Sequence, residues 1–236
     1  MTKRFIVLFC TLFSIAQAQE KLSVFGLQFK PIVPASYFDA SNISGSQDGY
    51  QLNLTPRYSY STGMVIRYGL NKTLSIESGL NLIQRNYRLG IENTTIGLSD
   101  YTDFGLRSYE LPIQLLAYVR TSERWYLNAA FGISQNTFAS DIFSTGEESD
   151  DFYQNTGRRL RGQRALLANL GVEYRSTQDG FFYLGASLHR PWKEIARVYP
   201  EYDNGINKFN PLGPDAFYLD VLGNFVTIDF RYFFGK

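Results

Sequence analysis

Cysteine and histidine are almost missing from this sequence, where Cys10 and His189 are the only ones. A single thiol excludes a disulfide framework and a cysteine-based zinc site. Net charge is also close to absent, at +1, which excludes the basic surface that nucleic-acid binding needs. Beyond the first twenty residues no apolar run approaches the ~18 residues of a spanning helix. The carboxylates Asp39, Asp48, Glu92, Asp100 and Asp103 lack the spacing of a calcium loop. Neither a metal nor a cofactor is expected.

What is present begins with a leader. Lys3 and Arg4 precede the apolar stretch 5–13, and Ala16-Gln17-Ala18 follows it, the three regions of a secretory signal peptide over residues 1–18. Cleavage is expected after Ala18, which removes two positive charges and leaves residues 19–236 as one domain with net charge −1. Phe9 stands before Cys10, where lipid attachment would need a small residue, so the thiol reads as part of the leader.

The full sequence carries 17 tyrosines, 19 phenylalanines and 20 glycines, a composition of strands and turns. Eight segments alternate with the two-residue period of a β-strand. The last shows it best: Val226, Ile228, Phe230, Tyr232 and Phe234 fall on one face, Thr227, Asp229 and Arg231 on the other. The others centre on 25–30, 58–68, 74–85, 110–119, 125–134, 166–174 and 182–189. Each is near the roughly 9–11 residues a tilted strand needs to cross a bilayer. Their connections alternate in length. Three are short, near Asn71-Lys72, Ser122-Glu123 and 176–180, and four are long, over 31–57, 86–107, 135–162 and 191–223.

Alternation alone also suits a soluble ligand-carrying barrel with its apolar face inside. The loop lengths, the aromatic end and the aromatics beside the short turns (Tyr68, Tyr118, Trp125, Tyr174, Phe181, Phe182) favour the membrane arrangement instead. The pattern therefore predicts an all-β fold. It is an eight-stranded antiparallel up-and-down transmembrane β-barrel, with short periplasmic turns and four long extracellular loops. The final strand would close it against residues 25–29, with Tyr232, Phe233 and Phe234 as the segment read by the barrel assembly machinery.

An eight-stranded interior is just wide enough for side chains to fill it. Lys30, Arg67, Glu77, Arg85, Glu110, Glu173, Asp229 and Arg231 are expected there as a structural polar network, with Arg67 and Glu77 diagonal across the first short hairpin. His189 is expected to hydrogen-bond Ser187, two residues before it; a hydrolase reading of that pair lacks an oxyanion donor. In the third long connection, a turn near Gln154-Asn155 would bring Asp151 to Arg158 and Glu148 to Arg161. Otherwise Arg158, Arg159, Arg161 and Arg164 would be free to contact lipopolysaccharide phosphates. The proline- and aromatic-rich fourth connection reads as a stiff cap or as a protein contact.

The leader, the eight segments, Tyr109-Glu110-Leu111-Pro112-Ile113, Gly171-Val172-Glu173-Tyr174 and the aromatic end together resemble the small outer-membrane β-barrel proteins common in Bacteroidota, often labelled PorT-like. The resemblance covers the whole mature chain and implies location in the cell outer membrane. Members resembling PorT serve type IX protein export, and no residue here singles out that role. The chain is expected to be a non-enzymatic barrel with a plugged lumen, working through its outer loops in envelope structure or in protein and lipopolysaccharide contacts. An accessory role in a protein-export or other envelope complex is the alternative, followed by a narrow ion channel and a lipid-modifying enzyme.

Overall fold

The computed structural model describes residues 23–33, 42–176, 180–211, 213 and 215–235. The expected leader, with Cys10, lies outside them, as does Asp39. Among the described residues every regular element is a β-strand and every pairing is antiparallel.

The strands are β1 (Ser23–Val33), β2 (Ile43–Gln47), β3 (Tyr50–Pro56), β4 (Ser59–Gly69), β5 (Leu74–Asn93), β6 (Leu98–Arg120), β7 (Trp125–Phe138) and β8 (Ile142–Thr145). There follow β9 (Phe152–Arg158), β10 (Gly162–Arg175), β11 (Phe181–Pro191), β12 (Ala196–Asp203), β13 (Lys208–Phe209), β14 (Leu219–Val221) and β15 (Phe225–Phe233). Eight of them follow one another as β5-β4-β1-β15-β11-β10-β7-β6, and β5 also pairs with β6, so each has a hydrogen-bonded neighbour on both sides. The last strand meets the first in register, Leu27 opposite Tyr232 and Phe29 opposite Phe230.

Burial in these eight strands follows the polar side chains. On β15, Thr227, Asp229 and Arg231 are buried while Ile228 and Phe230 are about half exposed. On β6, Glu110 and Gln114 are buried while Leu111, Ile113 and Leu115 are exposed. A water-soluble sheet buries the opposite face. The short turns hold the register: Asn71 Oδ1 accepts from the Thr73 and Leu74 amides at 2.8 and 2.7 Å, an Asx turn.

Among the described residues the four long connections carry strands. β5 and β6 run on through residues 86–107 as one hairpin of 20 and 23 residues. Twenty extended residues span about 65 Å, roughly twice the ~30 Å hydrocarbon core of a bilayer. Along both strands the amphipathic sense inverts at one level. On β5 the buried face reads Glu77, Asn81 and Arg85, then Tyr87, Leu89 and Ile91, while the outward face passes from Ile76 and Leu80 to Arg88 and Glu92. On β6 buried Phe104 and Leu106 give way to Ser108 and Glu110, and outward Asp103 and Arg107 to Leu111 and Ile113. Below that level the outside is apolar and the inside polar; above it the arrangement is that of a soluble protein.

Above it the other connections fold back. β2 and β3 extend the sheet beside β5, and β8, β9, β12 and β13 form a second sheet, with β14 paired to β12. Between them lies an apolar core containing Leu52, Leu54, Leu89, Ile91, Leu106, Phe138, Phe152, Ile195, Val198, Phe209 and Val221. The fourth connection contributes much of it, so the cap reading of that stretch is the one the packing supports. Gly223 returns the chain to β15 at a φ of 71°, where a Cβ would stand 2.4 Å from Ile195.

Two of the turn-side aromatics face inward. Tyr118 and Phe181 have the parity of the buried positions on β6 and β11, and pack around the Arg175 guanidinium at 5.2 and 5.1 Å. Outside, Trp125 pairs with Tyr174 at 5.1 Å, and Phe182 with Tyr232 at 5.0 Å.

Candidate functional site

All eight charged residues expected in the interior are buried, each less than a tenth exposed. Six of them, with Arg175, join in one unbroken chain. Arg175 Nε meets Glu173 Oε1 at 2.7 Å, Glu173 Oε2 accepts from Arg67 Nη1, and Arg67 Nη2 meets Glu77 Oε2 at 3.0 Å. Glu77 Oε1 accepts from Arg231 Nη1, Arg231 Nη2 meets Asp229 Oδ2 at 2.7 Å, and Lys30 Nζ lies 3.5 Å from the same oxygen. Alternating signs and shared oxygens offset the desolvation that each charge would meet alone. Arg67 and Glu77 are directly opposite in the register and not diagonal, which puts the Arg67 Nε within 3.1 Å of the same carboxylate.

Phe233 supplies the floor under this chain. It is fully buried, with the Arg67 guanidinium 4.0 Å above its ring. Tyr183 folds flat into the space left by two glycines opposite each other, Gly171 and Gly185, and donates to Asn169 Oδ1 at 2.7 Å. Asn169 in turn donates to Asp229 Oδ2 at 3.1 Å.

A second cluster holds Glu110. Gln28 Nε2 donates to Asn81 Oδ1 at 2.5 Å, and Asn81 Nδ2 to Glu110 Oε2 at 2.9 Å. His189 Nε2 stands 3.2 Å from Glu110 Oε1, its ring stacked on Phe225 at 4.4 Å. Ser187 is not its partner: that hydroxyl donates to Asp229 Oδ2 at 2.5 Å, in the other cluster. The side chains alternate across the strand correctly, but successive inward positions meet different neighbours. Arg85 belongs to neither cluster; its Nη1 donates to Ser108 Oγ at 2.9 Å.

The arginines of the third connection are placed differently from the sequence expectation. The turn falls between β8 and β9, around Gly146-Asp151, because β9 pairs with β12 as well as β8. Arg158 therefore meets Asp141 at 3.3 Å and donates to the Phe138 and Ala139 carbonyls. Glu148 turns its amide to Asp100 Oδ1 at 3.0 Å. Arg159, Arg161 and Arg164 are exposed.

Outside the cap core, cross-strand ion pairs face water. Arg88 donates to both Asp103 oxygens at 2.7 Å, and these bonds hold that carboxyl below the usual carboxylate range. Arg197 Nε donates to Asp220 Oδ1 at 2.8 Å, directly opposite in the register, which raises the Arg197 guanidinium above its ordinary value.

No family model matches this sequence, and no curated protein matches it. Among solved structures it is similar to the outer membrane protein OprG from Pseudomonas aeruginosa, at 13% identity and a TM-score of 0.52, over 92% of this chain and 98% of that one. The outer membrane protease OmpT from Escherichia coli aligns at 12% identity with a TM-score of 0.37, over 93% of this chain and 100% of that one. The monoaromatic hydrocarbon channel CymD aligns at 13% identity with a TM-score of 0.21, over 97% and 92%. One expectation is corrected by these neighbours. The sequence reading holds the chain not to be an enzyme, yet a protease stands among the structures it aligns with, so this architecture gives no ground for that exclusion. Neither does an alignment of that quality assign an activity. Antiparallel all-β architecture with an inverted, apolar exterior is the fold of outer-membrane β-barrel proteins, and the outer-membrane location expected from the sequence agrees with it.

Proposed function

We propose that residues 19–236 form an eight-stranded transmembrane barrel with a plugged polar lumen. Its short turns lie in the periplasm and its folded cap outside, and its rim holds lipopolysaccharide through phosphate contacts. The observation that carries the last step is the ending of the lipid-facing columns. On β10 the outward positions run Arg164, Leu166, Ala168, Leu170, Val172 and Tyr174. Arg190 lies directly opposite Leu166, and the Trp192 amide donates to the Arg164 carbonyl at 3.1 Å. Two exposed guanidinium groups and an exposed indole thus top an apolar face at the level where hydrocarbon gives way to headgroups. Neither arginine has an acidic partner among the described residues. Guanidinium binds phosphate through two parallel hydrogen bonds, and Trp favours the interface. Arg158, tied to Asp141, has no part in this.

The ion-pair chain across the interior supports a plug. Planar-bilayer recording should give no steady conductance, and a stable open level would reject that part. For the rim, purified protein in neutral detergent should be stabilised by lipid A carrying its phosphates and not by dephosphorylated lipid A. Arg164→Gln with Arg190→Gln should abolish the difference; an unchanged difference would reject the phosphate contact.

A further inference from the structure

Gly90 is an interior residue of β5 with no local reason to be glycine. Its φ lies outside the left-handed region, and a Cβ built on it would meet nothing nearer than 3.9 Å, the carbonyl oxygens of Asn53 and Asp100. Gly79 and Gly132, in the ring of eight, differ: there a Cβ would stand 2.1 Å from a neighbouring carbonyl oxygen. Glycine weakens a strand, and one that neither packing nor backbone conformation requires marks a place where something else comes close to the chain.

Gly90 stands above the level at which the amphipathic sense of β5 inverts, on the face shared by Arg88 and Glu92 and turned to water. In register across the sheet it has Asn53 on one side and Tyr101 on the other, with Ser44 beyond Asn53. The notch it leaves belongs to a cavity of about 600 Å³, open outward and walled by Ser44, Ser46, Gln51, Asn53, Arg88 and Glu92. Small-molecule sites span ~300–1,000 Å³.

The chemistry of those walls selects the occupant. Arg88 is already engaged: it donates to both Asp103 oxygens at 2.7 Å, and its guanidinium lies 3.9 Å over the Tyr101 ring. No free cation remains for a phosphate or a carboxylate, and Glu92, opposite Gln51, repels both. Among the described residues no group of carboxylates gathers to hold a metal. The other walls are hydroxyls and carboxamides, whose desolvation opposes an apolar ligand. A carboxamide offers donor and acceptor in one plane and so matches neighbouring hydroxyl groups, each of which also gives and takes a hydrogen bond. A floor without a side chain lets a ring lie close to the backbone.

We propose that the Gly90 cavity binds a neutral saccharide, with one hexose ring over the glycine and its hydroxyls bonded to Gln51, Asn53 and Glu92. The site does not rest on the rim arginines or on the lipopolysaccharide reading.

The probes are the methyl glycosides of glucose, galactose and mannose in both anomers, and the polysaccharide of lipopolysaccharide from the producing strain, freed of lipid A. The protein is folded in a detergent without sugar headgroups. Binding is read by saturation-transfer NMR and by shifts of the Gly90 and Asn53 amide resonances. At least one probe should give saturable transfer and move those resonances, and inorganic phosphate should do neither. A response to the methyl glycosides assigns a free saccharide; one confined to the polysaccharide assigns a lipid-linked one. Gly90→Leu fills the notch where a side chain has open space, and should abolish the response. Asn53→Ala should weaken it by about fivefold, the worth of one hydrogen bond. The Arg164→Gln, Arg190→Gln protein should respond as the wild type does, and loss of the response there would place binding at the rim and overturn this site. Indifference to every probe overturns it too, as does an equal response to phosphate or an undiminished response in whichever cavity variant folds.

Discussion

Arg67 and Glu173 are hydrogen-bonded across the interior, although their strands, β4 and β10, stand four pairings apart in either direction round the ring of eight. No flat sheet could bring them together. The contact is therefore a test of the curled architecture as well as part of its interior, and it places Glu77 and Glu173 on either side of one guanidinium.

Glu77 accepts from Arg67 and from Arg231, so Glu77→Gln takes from each of two buried cations one of its two carboxylates, leaving Glu173 to Arg67 and Asp229 to Arg231. Removing one partner of a buried pair costs about 3–5 kcal/mol. Urea unfolding followed by heat-modifiable gel mobility should show a loss of that order, and a loss near zero would mean that the interior is wet.

Gly185 leaves room for the Tyr183 hydroxyl, which would be 2.1 Å from a Cβ there, with the Leu170 carbonyl at 2.6 Å. Gly185→Ala should destabilise by about 1–3 kcal/mol, the usual cost of overpacking. Adding Tyr183→Ala should recover part of it, and only part, because the carbonyl remains. Full recovery would assign the whole clash to the ring.

Phe152 is wholly buried in the cap core and belongs to no strand of the ring. Phe152→Ala should cost about 3–5 kcal/mol, confined to the cap. Added protease should cut residues of the cap while the remainder keeps its compact gel mobility. Simultaneous loss of both would show ring and cap to be one cooperative unit.

Asp103 is held below the usual carboxylate range by its bonds to Arg88. A depressed folded value means that its support is full above the ordinary midpoint near pH ~4 and is lost as pH falls through the lower folded value. Carbon-13 titration of the Asp103 carboxyl should give a midpoint below that of a free aspartate. Arg88→Gln should return it to the ordinary range; a midpoint unmoved by that change would assign the shift to something else.

Phe234 stacks on Phe25 at 5.8 Å where the last strand meets the first. Phe234→Lys should lower the amount of protein recovered in the outer membrane, with the shortfall found as unassembled chain. Unchanged recovery would remove this residue from the assembly signal.

Much of this was legible in the order of residues. A period of two needs no partner to be seen, and the short turns set the register of strands on either side, which is why the pairing of Glu173 with Tyr183 agrees with their shared parity. The cap is not legible in the same way, because its strands begin where the apolar face changes sides and the outward positions turn polar. On β5 the alternation continues unbroken through Asn93, but its sense inverts after Arg85. A reader who expects one apolar face stops there. Leu116, fully buried inside, was missed for a related reason: it adjoins Leu115 on the exterior, and two neighbouring leucines carry no sign of which one faces lipid.

Local order, then, determined strands, faces and the inward set of charges, since each follows from the alternation of a single extended chain. Only the tertiary structure decided who meets whom. Arg67 reaching Glu173, His189 meeting Glu110 in place of Ser187, and Arg158 turning to Asp141 all depend on the curvature of the ring and on the second partner that β9 finds in β12. The same holds for the cavity at Gly90, whose walls come from three strands brought together only where β2 and β3 extend the sheet beside β5.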